Sequence, residues 1–146
     1  MDNINYRLIS SSLFLTNIYY CYYKNYYIYA LLFGNLLISS VILHWVYFDF
    51  NYMKYEIDIL KKIDQINVLL IILYGAYVYF KKLFTKKNNF ILSSLVIYFV
   101  CLCIFLWNYG YEKKRYCFDK DQTTAAIYHS FMHICSVLGH LLIVFL

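Results

Sequence analysis

The chain has 146 residues, 63% of them hydrophobic and only 14% charged. That is about half the charge of an ordinary globular domain, too little to coat a soluble surface. The net charge of +5 sits in short lysine clusters between long apolar runs, which excludes nucleic acid as a partner. With no proline and four glycines, the chain is not a linker, a collagen or a disordered tail. An integral, multi-pass membrane protein is the class that remains. The 19 tyrosines and the many Asn and Lys residues match AT-rich codon usage, so their number alone is weak testimony to function.

Charge-free stretches divide the chain into one integral membrane domain, 1–146, with no internal repeat. A helix needs about 20 residues to cross a bilayer, so these stretches predict an all-α polytopic transmembrane bundle of about five spanning helices. The expected ranges are 8–23, 25–48, 64–84, 89–110 and 122–146. The first is short and polar, carrying Ser10, Ser11, Ser12, Thr16 and Asn17. With Asp2 and only Arg7 before it and no small-residue cleavage site, it is not expected to be a cleavable signal peptide. Lys81 and Lys82 extend the third helix by snorkelling. Tyrosines 19, 20, 22, 23, 26, 27 and 29 are expected to mark a membrane interface.

Arg7, Lys54, Lys61, Lys62, Lys113, Lys114, Arg115 and Lys120 fall on one side of such a bundle. Lys24, Lys81, Lys82, Lys86 and Lys87 fall on the other. The bias of eight against five predicts a cytosolic N-terminus.

The five cysteines, Cys21, Cys101, Cys103, Cys117 and Cys135, show no zinc or redox spacing and read as small core residues. The four histidines, His44, His129, His133 and His140, all lie in expected spans, and Asp64 stands at the expected entrance to the third. Ionisable groups inside a membrane are costly and face the bundle interior, which makes them candidates for function. His129 and His133 lie one turn apart on one helical face, a spacing that lets two imidazoles reach one metal and also occurs in polar cores. Ser40 and His44 share the same spacing on the second helix, where the serine can support a ligand.

Alternating crossings put the loops after the second and fourth helices on one side. His44, Asp64, His129 and His133 therefore lie at similar depth near one leaflet. His140 is about 10 Å deeper, too far to share an ion, and is expected to be polar packing. Ser39, Ser40, Gly75 and Ala76 are small and are expected to leave room for an acyl chain.

Ser40-Val-Ile-Leu-His44, an aspartate opening the next helix, and His129-Ser-Phe-Met-His133 in the last helix form the pattern S-x-x-x-H, D, H-x-x-x-H. The pattern resembles the CREST superfamily of alkaline ceramidases, progestin and adipoQ receptors and their relatives, in a shortened version. The stretch from Tyr128 to Gly139 is similar to that family's last helix. The resemblance implies Zn2+ on His44, His129 and His133, with Asp64 and Ser40 in catalytic support of its water. It also implies a zinc-dependent hydrolase of lipid amides or esters, with membrane lipids as partners. About two helices fewer than the family's seven leave a cavity that a second copy, in a homo-oligomer, can complete. The alternative is a non-enzymatic multi-span component of a membrane or virion, its histidines a polar core.

Overall fold

The computed structural model describes residues 6–49, 54–85 and 89–146, with side chains placed for all of these but 46–49 and 54–57. Lys86 and Lys87, part of the lysine count, lie outside the described residues. The elements are α1 (Tyr6–Ser11), α2 (Phe14–Tyr23), α3 (Tyr27–Asp49), α4 (Lys54–Thr85), α5 (Phe90–Lys113), a 3-10 turn (Tyr116–Phe118) and α6 (Gln122–Phe145). Among the described residues the fold is all-α. Four helices, α3 to α6, are long and apolar enough to cross a membrane, which is compatible with an integral membrane protein.

The expected first span is instead two short helices of six and ten residues. The serines explain the break. The Ser10 and Ser11 hydroxyls donate to the Arg7 carbonyl and Ser12 donates to Ile9. Such back-bonds compete with the helical ladder. The backbone then tightens into successive i−3 bonds, Ser12 to Ile9, Leu13 to Ser10, Leu15 to Ser12 and Thr16 to Leu13. Two short helices are not one long rod, and among the described residues the helices long and apolar enough to cross a membrane number four, not the five expected.

The third expected helix also differs. α4 starts at Lys54, so Asp64 is not at its entrance but about 15 Å inside it, at 1.5 Å per residue. Charge marks where an apolar span begins, not where helical backbone does. Nothing between 54 and 63 breaks a helix, and Lys61 pairs with Asp58 at 3.8 Å along it. The remaining ranges agree to within a turn. Asn89 caps α5 by accepting from the Leu92 amide at 3.3 Å, and Asp121 caps α6 by accepting from the Thr124 amide at 2.7 Å.

α6 is the hub, packed on α5, α1, α2 and the C-terminal part of α4. α1 and α2 lie against both α3 and α6. Phe14 meets the His133 ring and Tyr20 meets Phe145, so α2 runs in the same direction as α6. Tyr29 and Phe33 of α3 meet His140, whereas His44 meets His129 and His133, so α3 runs the opposite way.

The core joins Phe14, Cys21, Tyr29, Phe33, Leu36 and Ile71, and Val137 and Ile143 of α6 close it. Close approach of α4 depends on Gly75: a Cβ there would lie 2.6 Å from the Tyr29 hydroxyl and 3.0 Å from the His140 ring. The space expected beside Gly75 is therefore filled by Tyr29 and His140. At the same end, Lys82 is buried rather than snorkelling. Its Nζ donates to the Ile143 and Val144 carbonyls at 2.9 and 2.6 Å. A cation there satisfies the last turn of α6 and its dipole.

Candidate metal centre

Antiparallel α3 and α6 carry their histidines to the same end of the bundle. His44 lies near the end of α3, and His129 and His133 lie two to three turns into α6. Their ring centroids are 5.1 Å apart for His44 and His129, 5.7 Å for His44 and His133, and 4.6 Å for His129 and His133. One ring nitrogen from each lies within 4.8 Å of the other two. Among the described residues these three form the one cluster of metal-type ligands.

The donor set fits one ion. Nitrogens bound at 2.0–2.1 Å to a tetrahedral metal lie about 3.3–3.4 Å apart. From a triangle with sides no longer than 4.8 Å, each imidazole closes inward by less than about 1 Å, within reach of small side-chain rotations. Three nearby histidines can thus form a metal site. His44 and His133 are buried and His129 is half-buried, the most accessible of the three.

The surroundings hold the rings in place. Phe14 packs on His133 at a centroid distance of 5.2 Å. Ser10 Oγ lies 2.8 Å from His133 Nδ1. Ser40, one turn before His44, is fully enclosed and its Oγ lies 3.2 Å from Ser11 Oγ. Because the Ser11 proton points to the Arg7 carbonyl at 2.8 Å, Ser40 is the donor in that pair. Ser40 is therefore tied to α1.

Asp64 takes part in a separate polar chain between α3 and α4. Asn67 Nδ2 donates to Ser39 Oγ at 3.0 Å, and Ser39 donates to Asp64 Oδ1 at 2.9 Å. Ser39 and Ser40 are thus both buried and hydrogen-bonded. Asp64 was expected from the sequence, but its hydrogen-bond partner Ser39, and Asn67 bonded to Ser39 in turn, were not. Nor was Ser10, whose only sequence signal was an unusual density of serine in an otherwise apolar segment.

His140 belongs to none of these groups. Its Nδ1 is hydrogen-bonded to the Tyr29 hydroxyl, and its ring stands edge-on to Tyr29 and Phe33. It is polar packing, as its depth implied. Tyr29 accordingly leaves the interfacial group: it is completely buried, whereas Tyr19, Tyr22, Tyr23 and Tyr27 are exposed.

Fold and site together define a helical bundle, compatible with an integral membrane protein, that gathers three histidines at one end. The chain matches no protein-family model, no curated protein and no solved structure.

Proposed function

We propose that the protein is a multi-span membrane protein that holds one zinc ion on His44, His129 and His133 and hydrolyses acyl lipids, amides or esters. The observation that carries this is the meeting of three imidazoles from two antiparallel helices, with ring nitrogens within 4.8 Å. Histidine is a preferred zinc ligand, and a three-histidine site leaves a fourth position open for chemistry. The S-x-x-x-H, D, H-x-x-x-H pattern resembles that of the CREST hydrolases and adds the substrate class.

Zinc bound there supplies a Lewis acid that activates water and polarises a carbonyl. The chain supplies the rest. His44, His129 and His133 hold the ion, and Phe14 shields His133 from solvent. Ser39 fixes one oxygen of Asp64 in the separate α3–α4 chain, and the role of Asp64 as proton acceptor is the part of the proposal that rests on the sequence pattern alone. The half-buried edge of His129 is the approach for the acyl group, because His44 and His133 are buried.

Release of fatty acid from a panel of labelled amide and ester lipids tests the activity. Zinc-loaded protein should give chelator-sensitive release. Asp64→Asn should lower turnover by roughly 10²–10⁴-fold, the usual worth of a general base, while retaining its zinc. If zinc-loaded protein releases fatty acid from none of the lipids, the hydrolase claim falls and a membrane scaffold stabilised by metal remains.

A further inference from the structure

Ser10 has one hydroxyl proton and two polar neighbours. Its Oγ lies 3.0 Å from the Arg7 carbonyl and 2.8 Å from His133 Nδ1. A carbonyl only accepts, so the proton must go to Arg7 for the first contact to be a hydrogen bond. Toward His133 the serine oxygen is then an acceptor, and Nδ1 must carry the hydrogen. The opposite assignment, with Ser10 donating to Nδ1, would leave two lone-pair-bearing oxygens facing each other at 3.0 Å. One assignment satisfies both contacts. In a neutral imidazole, a hydrogen on Nδ1 leaves the lone pair on Nε2.

We infer that Ser10 is a positioning residue that selects the Nδ1–H tautomer of His133, presenting Nε2 to a divalent metal. This rests on the zinc reading for the identity of the ion, but not for the tautomer. It gives the break between α1 and α2 a purpose. Ser10 back-bonds to the Arg7 carbonyl, the interaction that loosens the helix, and the same bond orients the Ser10 oxygen as an acceptor. Ligating histidines usually donate their other ring N–H to a carboxylate, a carbonyl or water, and loss of such a partner weakens metal binding by about 10–100-fold. Here a serine hydroxyl takes that place, itself fixed by its own helix.

The test uses the purified full-length chain in detergent. Nitrogen-15 spectra of the histidine-labelled, metal-free protein at pH 8 report the tautomer directly, with His133→Gln identifying the signals. Nδ1 of His133 should appear protonated and Nε2 unprotonated. In Ser10→Ala the preference should be lost and zinc affinity, measured by chelator competition, should fall about 10–100-fold. Ser10→Thr, which keeps the hydroxyl, should restore both. Ser12→Ala should change neither, because the exposed Ser12 hydroxyl bonds only its own helix, at Ile9.

An Nε2–H tautomer in the unaltered protein, or unchanged zinc affinity in a folded Ser10→Ala, overturns the assignment. If the unaltered protein binds no zinc, the metal reading fails, and the tautomer alone then decides the role of Ser10. The metal-free spectrum needs no variant of Ser10, so an unfolded Ser10→Ala does not remove the test.

Discussion

Two of the glycines make a matched pair. Gly75 in α4 and Gly34 in α3 both lie inside long helices, where replacing glycine by alanine gains about 0.5–1 kcal/mol of backbone entropy. Their surroundings differ. A Cβ on Gly34 meets nothing within 4 Å, whereas one on Gly75 would lie 2.6 Å from the Tyr29 hydroxyl and 3.0 Å from His140. Ordinary contact begins near 3.4 Å, so Tyr29 would have to retreat by about 0.8 Å.

Tyr29 is completely buried and holds His140, so it can move only by giving up that hydrogen bond or pushing α4 away. Overpacking of this kind costs about 1–3 kcal/mol, and a lost buried hydrogen bond about 1 kcal/mol more. Gly75→Ala should therefore destabilise by about 1–3 kcal/mol net, while Gly34→Ala should stabilise by up to about 1 kcal/mol. Reversible unfolding of each variant in detergent by denaturant titration would measure both. Equal effects of the two substitutions would refute the close packing of α4 on Tyr29 and His140.

Lys82→Met should destabilise by about 1.5–3 kcal/mol, since it strips charged hydrogen bonds from two carbonyls at the end of α6. Lys81→Met, at an exposed lysine, should stay within about 0.5 kcal/mol in the same titration. Asn17 is completely buried in α2, and among the described residues neither its Oδ1 nor its Nδ2 has a hydrogen-bond partner. Asn17→Leu should accordingly be neutral or stabilising, and a loss above about 2 kcal/mol would show that the amide is engaged. Hydrogen bonds from Thr124, first its hydroxyl and then its amide, hold the exposed Asp121 carboxyl below its ordinary value. Its contribution to α6 is present above the unfolded carboxylate value and lost as pH falls through the lower folded one. Protection of the Thr124 amide, measured as its exchange rate relative to the intrinsic rate at each pH, should therefore fall below about pH 4, and Asp121→Asn should remove that pH dependence while retaining a cap.

The three-histidine cluster was legible because it rests on two robust counts. The i, i+4 spacing of His129 and His133 survives any choice of helix boundary. The parity of crossings brings His44 to the same end whether or not the first segment spans. Asp64 was legible as an ionisable residue of the third helix but not in its surroundings. Its partner Ser39, and Asn67 that bonds Ser39, have ordinary spacing, and only the rotation of α3 against α4 brings them together.

Boundaries failed where charge and backbone preference part company. The charged stretch before Asp64 is still good helix, and the serine-rich stretch after Arg7 is apolar enough to enter the bundle but bonds its own carbonyls. The room expected beside Gly75 failed for a related reason. A small residue in a membrane helix as often admits a neighbouring side chain as it leaves a cavity, and here it admits Tyr29.

The central claim is that three imidazoles share one zinc ion. X-ray absorption at the zinc edge, on purified full-length protein with the metal content measured on the same sample, tests it most directly. One zinc per chain is expected, with imidazole scattering from three nitrogens at about 2.0–2.1 Å and loss of the metal when His129 and His133 are both replaced by alanine. Sulfur at about 2.3 Å, pointing to the cysteines, or full zinc retention in the double variant would contradict it.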